Sequence, residues 1–319
     1  MSSVLHCAIQ SPTYSSEGIT KGLQQHFGEV SVFPWQQVRF SEGIIGMWER
    51  LIAKTYMEEP EVVLLHIQTQ GCLDHDVLRE LNAKSFTILY SFDVRTDIGW
   101  IKDLAPHLGL VIVPDYDTAD ELKKDGFANV EVLHSSCDYD LYKPVPIQHT
   151  EGFPEIVFIG NNYCNTSLDF PLAQQRVEMV EFLQKEYGNR FGVFGNNWGG
   201  HSKIINTHDE INVYSAAKIA ITQNQFNRRG YSSDRVWRSM GCACPTISQY
   251  YNGINLDFNP HVIKTWLNFD MLRTEIEKLL HSDKERRIMG EAGREHVLAN
   301  HSWSNRVVKI KEFIQKHKK

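Results

Sequence analysis

The chain has 319 residues, more than one hydrophobic core usually organises, so two domains of roughly 150 residues each are expected. Hydrophobic residues at 42% and charged residues at 23% match a folded, soluble protein and exclude extended disorder. A net charge of −6 argues against a nucleic-acid binder held by bulk electrostatics.

In chain order, the opening "MSSVLHCAIQS" lacks the basic and apolar regions of a signal peptide, and no later run is long enough to cross a bilayer. A cytoplasmic location is therefore expected. Strand candidates in the first half are 4–9, 30–34, 61–67, 86–91, 110–114 and 130–134, with helices over 18–27, 41–57 and 117–125. In the second half they are 155–160, 190–195, 219–223 and 244–248, with helices near 172–187, 211–217, 233–240, 270–280 and 283–299. Apolar runs without polar alternation suit strands buried on both faces, and their alternation with helical patterns predicts parallel sheets covered by helices. The fold class is thus α/β, with two Rossmann-like layers. Three prolines and a glycine in "YKPVPIQHTEGFPE" (142–155) place a domain boundary near 150, giving domains 1–150 and 151–301. A last helix, 302–317, carries Val307, Ile310 and Ile314 on one stripe and must dock on something. The six basic residues from Arg306 onward, against one acid, Glu312, read as its solvated face.

Six cysteines (7, 72, 137, 164, 242, 244) form no C-x-x-C pair, which fits reduced, mostly buried thiols. Cys242 and Cys244 lack the further ligands that a zinc site needs.

Ligands of open α/β sheets bind at the carboxyl ends of the strands, so chemistry is sought in the loops that follow them. Ser15, Ser16 and Gly18 open the first helix; they suit an anion or hydroxyl-rich acceptor, and equally a plain cap. "FDVRTD" packs Asp93, Arg95 and Asp97 at a strand end, either as groups for proton transfer, sugar hydroxyls or phosphate, or as a structural ion pair. "IGNN" offers Gly160 for close backbone approach and Asn161 and Asn162 as polar edges, with Arg176 entering the next helix. "VFGNNW" offers Gly195, Asn196 and a tryptophan, Trp198, able to stack on a flat ring or to sit in the core.

"GYSSDRVWRSMG" (230–241) reads as a helix capped by Ser232 or Ser233, with Asp234 in its first turn and Gly241 as a left-handed stop. A cap does not require Arg228, Arg229 and Arg235 around one helix start, where the backbone already presents about half a positive charge. A diphosphate would offset that accumulation.

The run "INVYSAAKIAITQNQFNRRGYSSDRVWRSMGCACPTIS", followed by "LNFDMLRTEIEKLLHSDKERRIMGEAGREHVLANHSWSNRV", resembles the C-terminal half of CgeB-like glycosyltransferases of the group 1 (family 4-type) clan. "FIGNN…R…EMVEFL…FGVFGNNW" resembles the start of that family's donor domain, and "FDVR" its acidic-arginine loop, so the similarity covers most of 86–306. The resemblance implies the GT-B architecture: two Rossmann-like domains facing a cleft, with the C-terminal helix crossing back to the first. It implies a nucleotide-sugar donor, UDP-sugar ahead of GDP- or ADP-sugar, with no permanently bound cofactor and no obligatory metal, and hexosyl transfer with retention to a sugar-accepting substrate. A nucleic-acid acceptor is the less favoured choice. Carried over, Arg176 and Arg235 would neutralise the donor diphosphate. Tyr231, Ser232, Ser233 and Asp234 would line it, Gly160, Asn161, Gly195 and Asn196 would border the donor, and Asp93 with Arg95 would lie near the reacting groups. One departure bears on the donor: the two glutamates that many such enzymes place at either end of this loop and helix are here Gly230 and Arg238. A rival expectation is a non-catalytic nucleotide-sugar or glycan-binding partner subunit.

Overall fold

The computed structural model describes residues 3–11, 14–91, 93–147, 152–164, 166, 169–199, 202–203 and 205–318. Their elements run β1 (Ser3–Cys7), β2 (Gln10–Ser11), β3 (Tyr14–Ser15), α1 (Glu17–His26), β4 (Glu29–Phe33), α2 (Trp35–Glu58), β5 (Val62–Leu65), α3 (His75–Asn82), β6 (Phe86–Tyr90), α4 (Gly99–Leu104), β7 (Leu110–Val113), α5 (Tyr116–Lys124) and β8 (Val130–Val132). They continue with β9 (Ile156–Ile159), α6 (Ala173–Tyr187), β10 (Phe191–Phe194), β11 (Ser202–Lys203), α7 (Thr207–Ala216), β12 (Ile219–Thr222), α8 (Asp234–Gly241), β13 (Thr246–Gln249), α9 (Ile254–Asp257), β14 (Lys264–Trp266), α10 (Phe269–Leu280), α11 (Asp283–Asn300) and α12 (Trp303–His317).

The chain divides into two compact units, Met1–Ser135 with Trp303–Lys319, and Ser136–Ser302. The division falls before the proline-rich stretch that composition singles out; residues 148–151, around the expected boundary, lie outside the described residues. Its cause is visible at Tyr139 and Tyr142, which are buried in the second unit's core against Trp237 and Met240. A Cβ on Gly241 would lie 2.9 Å from the Tyr142 carbonyl and 3.0 Å from the Tyr139 ring.

In the first unit β4-β1-β5-β6-β7-β8 form a parallel sheet, with register pairs such as Val4 with Val62 and Leu64 with Ile88. β5 (VVLL) and β7 (LVIV) are buried at every residue, as strands covered on both faces must be. One face packs on α2, α3 and α4 through Met47, Leu51, Leu78 and Ile101. The other packs on α1 and α12 through Ile19, Leu23, Trp303, Val307, Ile310 and Ile314. The stripe on α12 is thus covered within this unit. Helix α2 begins earlier than its apolar pattern suggests and breaks at Gly43, whose φ of 77° lies in the left-handed region open to glycine.

In the second unit β11-β10-β9-β12-β13-β14 form another parallel sheet, with Ala220 in register with both Val157 and Thr246. α6 and α10 cover one face through Met179, Leu183, Leu272 and Ile276; α7 and α8 cover the other through Ile211, Val236 and Trp237. The carboxyl ends of β9, β10 and β12 sit side by side and carry the loops from which the candidate site is built.

Candidate functional site

Gly160 follows β9 and Gly195 follows β10 because the two backbones meet there. The Gly160 N–H donates to the Phe194 carbonyl (2.8 Å), and a Cβ on Gly195, whose φ is 131°, would lie 2.5 Å from the Gly160 oxygen. The Asn161 side chain ties the two loops: its Oδ1 accepts from the Asn196 N–H (2.9 Å) and its Nδ2 donates to the Tyr163 oxygen (3.3 Å). Trp198 donates its indole N–H to the Gly160 carbonyl (2.6 Å) and meets Phe158 edge-on. Its N–H is thus spent on this scaffold, and the residue is half-buried.

Arg176, on α6, is 1% exposed, yet its hydrogen-bond acceptors are all neutral. Nη1 donates to the Asn161 carbonyl (3.1 Å) and Nη2 to the Gln223 carbonyl (2.8 Å); the Gln225 amide, oriented as the network requires, accepts from Nε (3.1 Å). The guanidinium also lies 5.4 Å from the Phe158 ring centre. Burial, with Arg235 adding to it, pulls the Arg176 pKa down to about 9. A buried cation without a carboxylate is expensive to keep and favours an arriving anion.

Arg235 is in the first turn of α8, and a Cβ on Gly160 would sit 3.3 Å from its Nε, so its side chain lies over the end of β9. Its side chain is 24% exposed, and its acidic neighbour Asp234 is no closer than 3.9 Å. Burial opposes its charge, but Asp234 and the nearby tyrosines outweigh that and hold it above the ordinary arginine value. Asp234 is drawn toward Arg238 (2.6 Å), which also pairs with the buried Glu210 (3.0 Å), itself accepting from the Tyr142 hydroxyl (2.9 Å). Arg238 is therefore committed to a structural network under α8.

Ser233 occupies the N-cap position of α8 in extended backbone (φ −70°, ψ 154°), but its side chain makes no capping bond. Asn224 organises this loop instead, accepting from the Ser233 N–H (3.0 Å) and donating to the Tyr231 carbonyl (2.8 Å). The Ser233 hydroxyl, on a residue 7% exposed, has no hydrogen-bond partner among the described residues, whereas that of Ser232, 3% exposed, faces the buried Tyr251 hydroxyl. A buried serine that declines the cap costs about 1–3 kcal/mol unless a ligand satisfies it. The expected left-handed stop at Gly241 is corrected: Gly241 closes the helix, and the left-handed residue is Ala243 (φ 56°). Gly241 is small because Tyr139 and Tyr142 pack against it.

The second unit thus brings together Gly160, Asn161, Arg176, Gly195, Asn196 and Arg235, with the loop of Tyr231, Ser232, Ser233 and Asp234. Arg228 extends from the same loop with its side chain in no hydrogen bond or ion pair among the described residues, and Arg229 is half-buried. Sequence reasoning missed Gln223, Asn224 and Gln225, consecutive buried amides after β12, and Tyr163; the polar run directly after an apolar strand was the available signal.

The remaining expected residues belong to the first unit. Arg95 donates to the Asp93 carboxylate (3.0 Å) and to the Val94 carbonyl (3.1 Å), both side chains well exposed, while Phe92 between strand and acid lies outside the described residues. Ser16 precedes α1 and is 1% exposed; its hydroxyl is spent on the Ile9 carbonyl (2.8 Å), so it is a structural clamp and not a free donor. Gly18 is buried in the first turn of α1.

Among solved structures, sucrose-phosphate synthase from Thermosynechococcus elongatus superposes with a TM-score of 0.67 at 11% identity, covering 99% of both chains. A glycosyltransferase from Rickettsia africae does so at 0.65 with 12% identity over 98% of both, and Anabaena HepE in complex with UDP and glucose at 0.64 with 11% identity over 99% of this chain and 100% of that one. The likeness defines the class: a GT-B fold, two Rossmann-like parallel-sheet units in one chain. A family model described as glycosyl transferase-like matches residues 175–312, which hold Arg176, the serine loop and α8. No curated protein sequence matches the chain. No helix among the described residues is long and apolar enough to cross a membrane.

Proposed function

We propose that this chain is a nucleotide-sugar-dependent glycosyltransferase whose donor diphosphate sits where α8 begins. The observation that carries the reading is Arg176, fully buried and bonded only to neutral oxygens, beside Arg235 and the Ser233 hydroxyl, which has no partner among the described residues. The glycosyl transferase-like match over 175–312 and the UDP and glucose bound to HepE support it, and UDP is the nucleotide we favour.

In this reading the two guanidiniums and the helix start stabilise the nucleoside diphosphate as charge develops on it during departure. The sugar moves to an acceptor hydroxyl with retention, the departing phosphate taking the acceptor's proton, so no strong base is demanded. Asp93, held by Arg95 on the first unit, is proposed to orient the acceptor. Arg238 and Gly230 leave no glutamate for hydroxyl recognition in the loop. The test is transfer and donor hydrolysis with UDP-, GDP- and ADP-sugars. Turnover with one of them supports an enzyme; affinity for nucleotide sugars without turnover would make the chain a binding subunit.

A further inference from the structure

The Tyr163 hydroxyl is placed in a way the anion-binding arginines alone do not explain. The Asn161 amide has its orientation fixed, since Oδ1 must accept the Asn196 N–H, so Nδ2 faces Tyr163 and donates to the phenolic oxygen. Tyr163 must then use its own O–H as a donor elsewhere, and no acceptor for it exists among the described residues. The ring is half-buried and immobilised: Phe170 packs on it with centroids 4.5 Å apart, and Phe226 buttresses Phe170 edge-on at 5.6 Å. Asn161 joins this donor to the cations, because its backbone carbonyl holds Arg176 while Gly160, one residue before, lies under Arg235. The phenol is close enough to both guanidiniums to interact electrostatically with each. A rigid, neutral donor beside two cations suits a ligand made of acceptors only, and phosphate oxygens accept without donating.

We propose that Tyr163 is a ligand-binding residue whose hydroxyl donates to an oxygen of the bound diphosphate, adding a third contact from the loop after β9 to those of Arg176 and Arg235. The inference rests on the diphosphate reading of this site. A hydrogen bond to a charged acceptor is worth more than one between neutral groups, so its loss should be measurable in affinity.

The experiment is calorimetric titration of the full-length protein and Tyr163→Phe with inorganic pyrophosphate and with UDP. Phe keeps the ring packing and removes the hydroxyl, both the donor and the acceptor of the long Asn161 bond, which water can replace at these half-buried residues, so the melting temperature of the unliganded protein should stay within a few degrees. The expected result is an affinity for both probes weakened about tenfold to a hundredfold. Equal affinity in the two proteins would overturn the role of Tyr163 and leave the site reading standing. Failure of the unaltered protein to bind pyrophosphate or UDP would overturn the site reading, and this inference with it.

Discussion

At the scale of single residues, the site is defined by what its polar atoms lack. Arg176 is surrounded by carbonyl and amide oxygens drawn from positions 161, 223 and 225, and the Ser233 hydroxyl before α8 has no partner among the described residues. Arg235→Ala should lower turnover by about 10² to 10³, the loss typical of one donor acting on transition-state charge, while leaving unliganded stability nearly unchanged because its side chain is part-exposed. Unaltered turnover in a donor assay would remove Arg235 from the mechanism. Arg176→Ala should behave differently, losing nucleotide affinity and also stability, since two buried carbonyls lose their donors at about 1–3 kcal/mol each. Chemical denaturation separates the two effects. The arginines and glycines of the site can be read from the sequence because loops after strands are few. Burial of Arg176 cannot, because its partners lie far along the chain, and Tyr163 follows no periodicity.

At the scale of elements, close approach sets several identities. A Cβ on Gly22 of α1 would lie 3.0 Å from the Trp303 carbonyl and 3.2 Å from Val307, so α1 and α12 touch backbone to backbone there. Gly22→Ala should destabilise the first unit by about 1–3 kcal/mol, as overpacking does, and a thermal melt reads it. Retained stability would mean that α12 can shift outward at little cost. The sheet strands with continuous apolar runs are legible in the sequence, and their ends differ by only a few residues. β14, α3 and α4 are not. β14 has three residues at a sheet edge, α4 is six residues long, and α3 is marked chiefly by its Asp74 cap, which is a turn signal as well.

At the scale of the whole molecule, the alternation of strand and helix is enough to reach two parallel-sheet units, whereas the division at Ser135 depends on tyrosines packing across many positions. Acid stability should be set in part by the first unit, where His6 and His66 are fully buried and stacked, 6.0 Å between ring centres. Burial lowers the His6 pKa to about 3, and burial with the neighbouring His6 lowers that of His66. The unfolded chain therefore binds more protons than the folded one between about pH 6.5 and pH 3. Stability is fully present above pH 6.5 and falls as pH drops, by about 1.4 kcal/mol per pH unit for each histidine. His6→Gln should flatten that dependence, measured as urea midpoints between pH 7 and pH 4; an unchanged slope would show that His6 charges freely in the fold.

Everything proposed about function passes through the start of α8, and a structure determined with a nucleoside diphosphate bound tests it most directly. The account predicts a diphosphate within hydrogen-bonding distance of the Arg176 and Arg235 guanidiniums and of the Ser232 or Ser233 hydroxyl. A nucleotide seated elsewhere, with those groups unchanged and untouched, would contradict it.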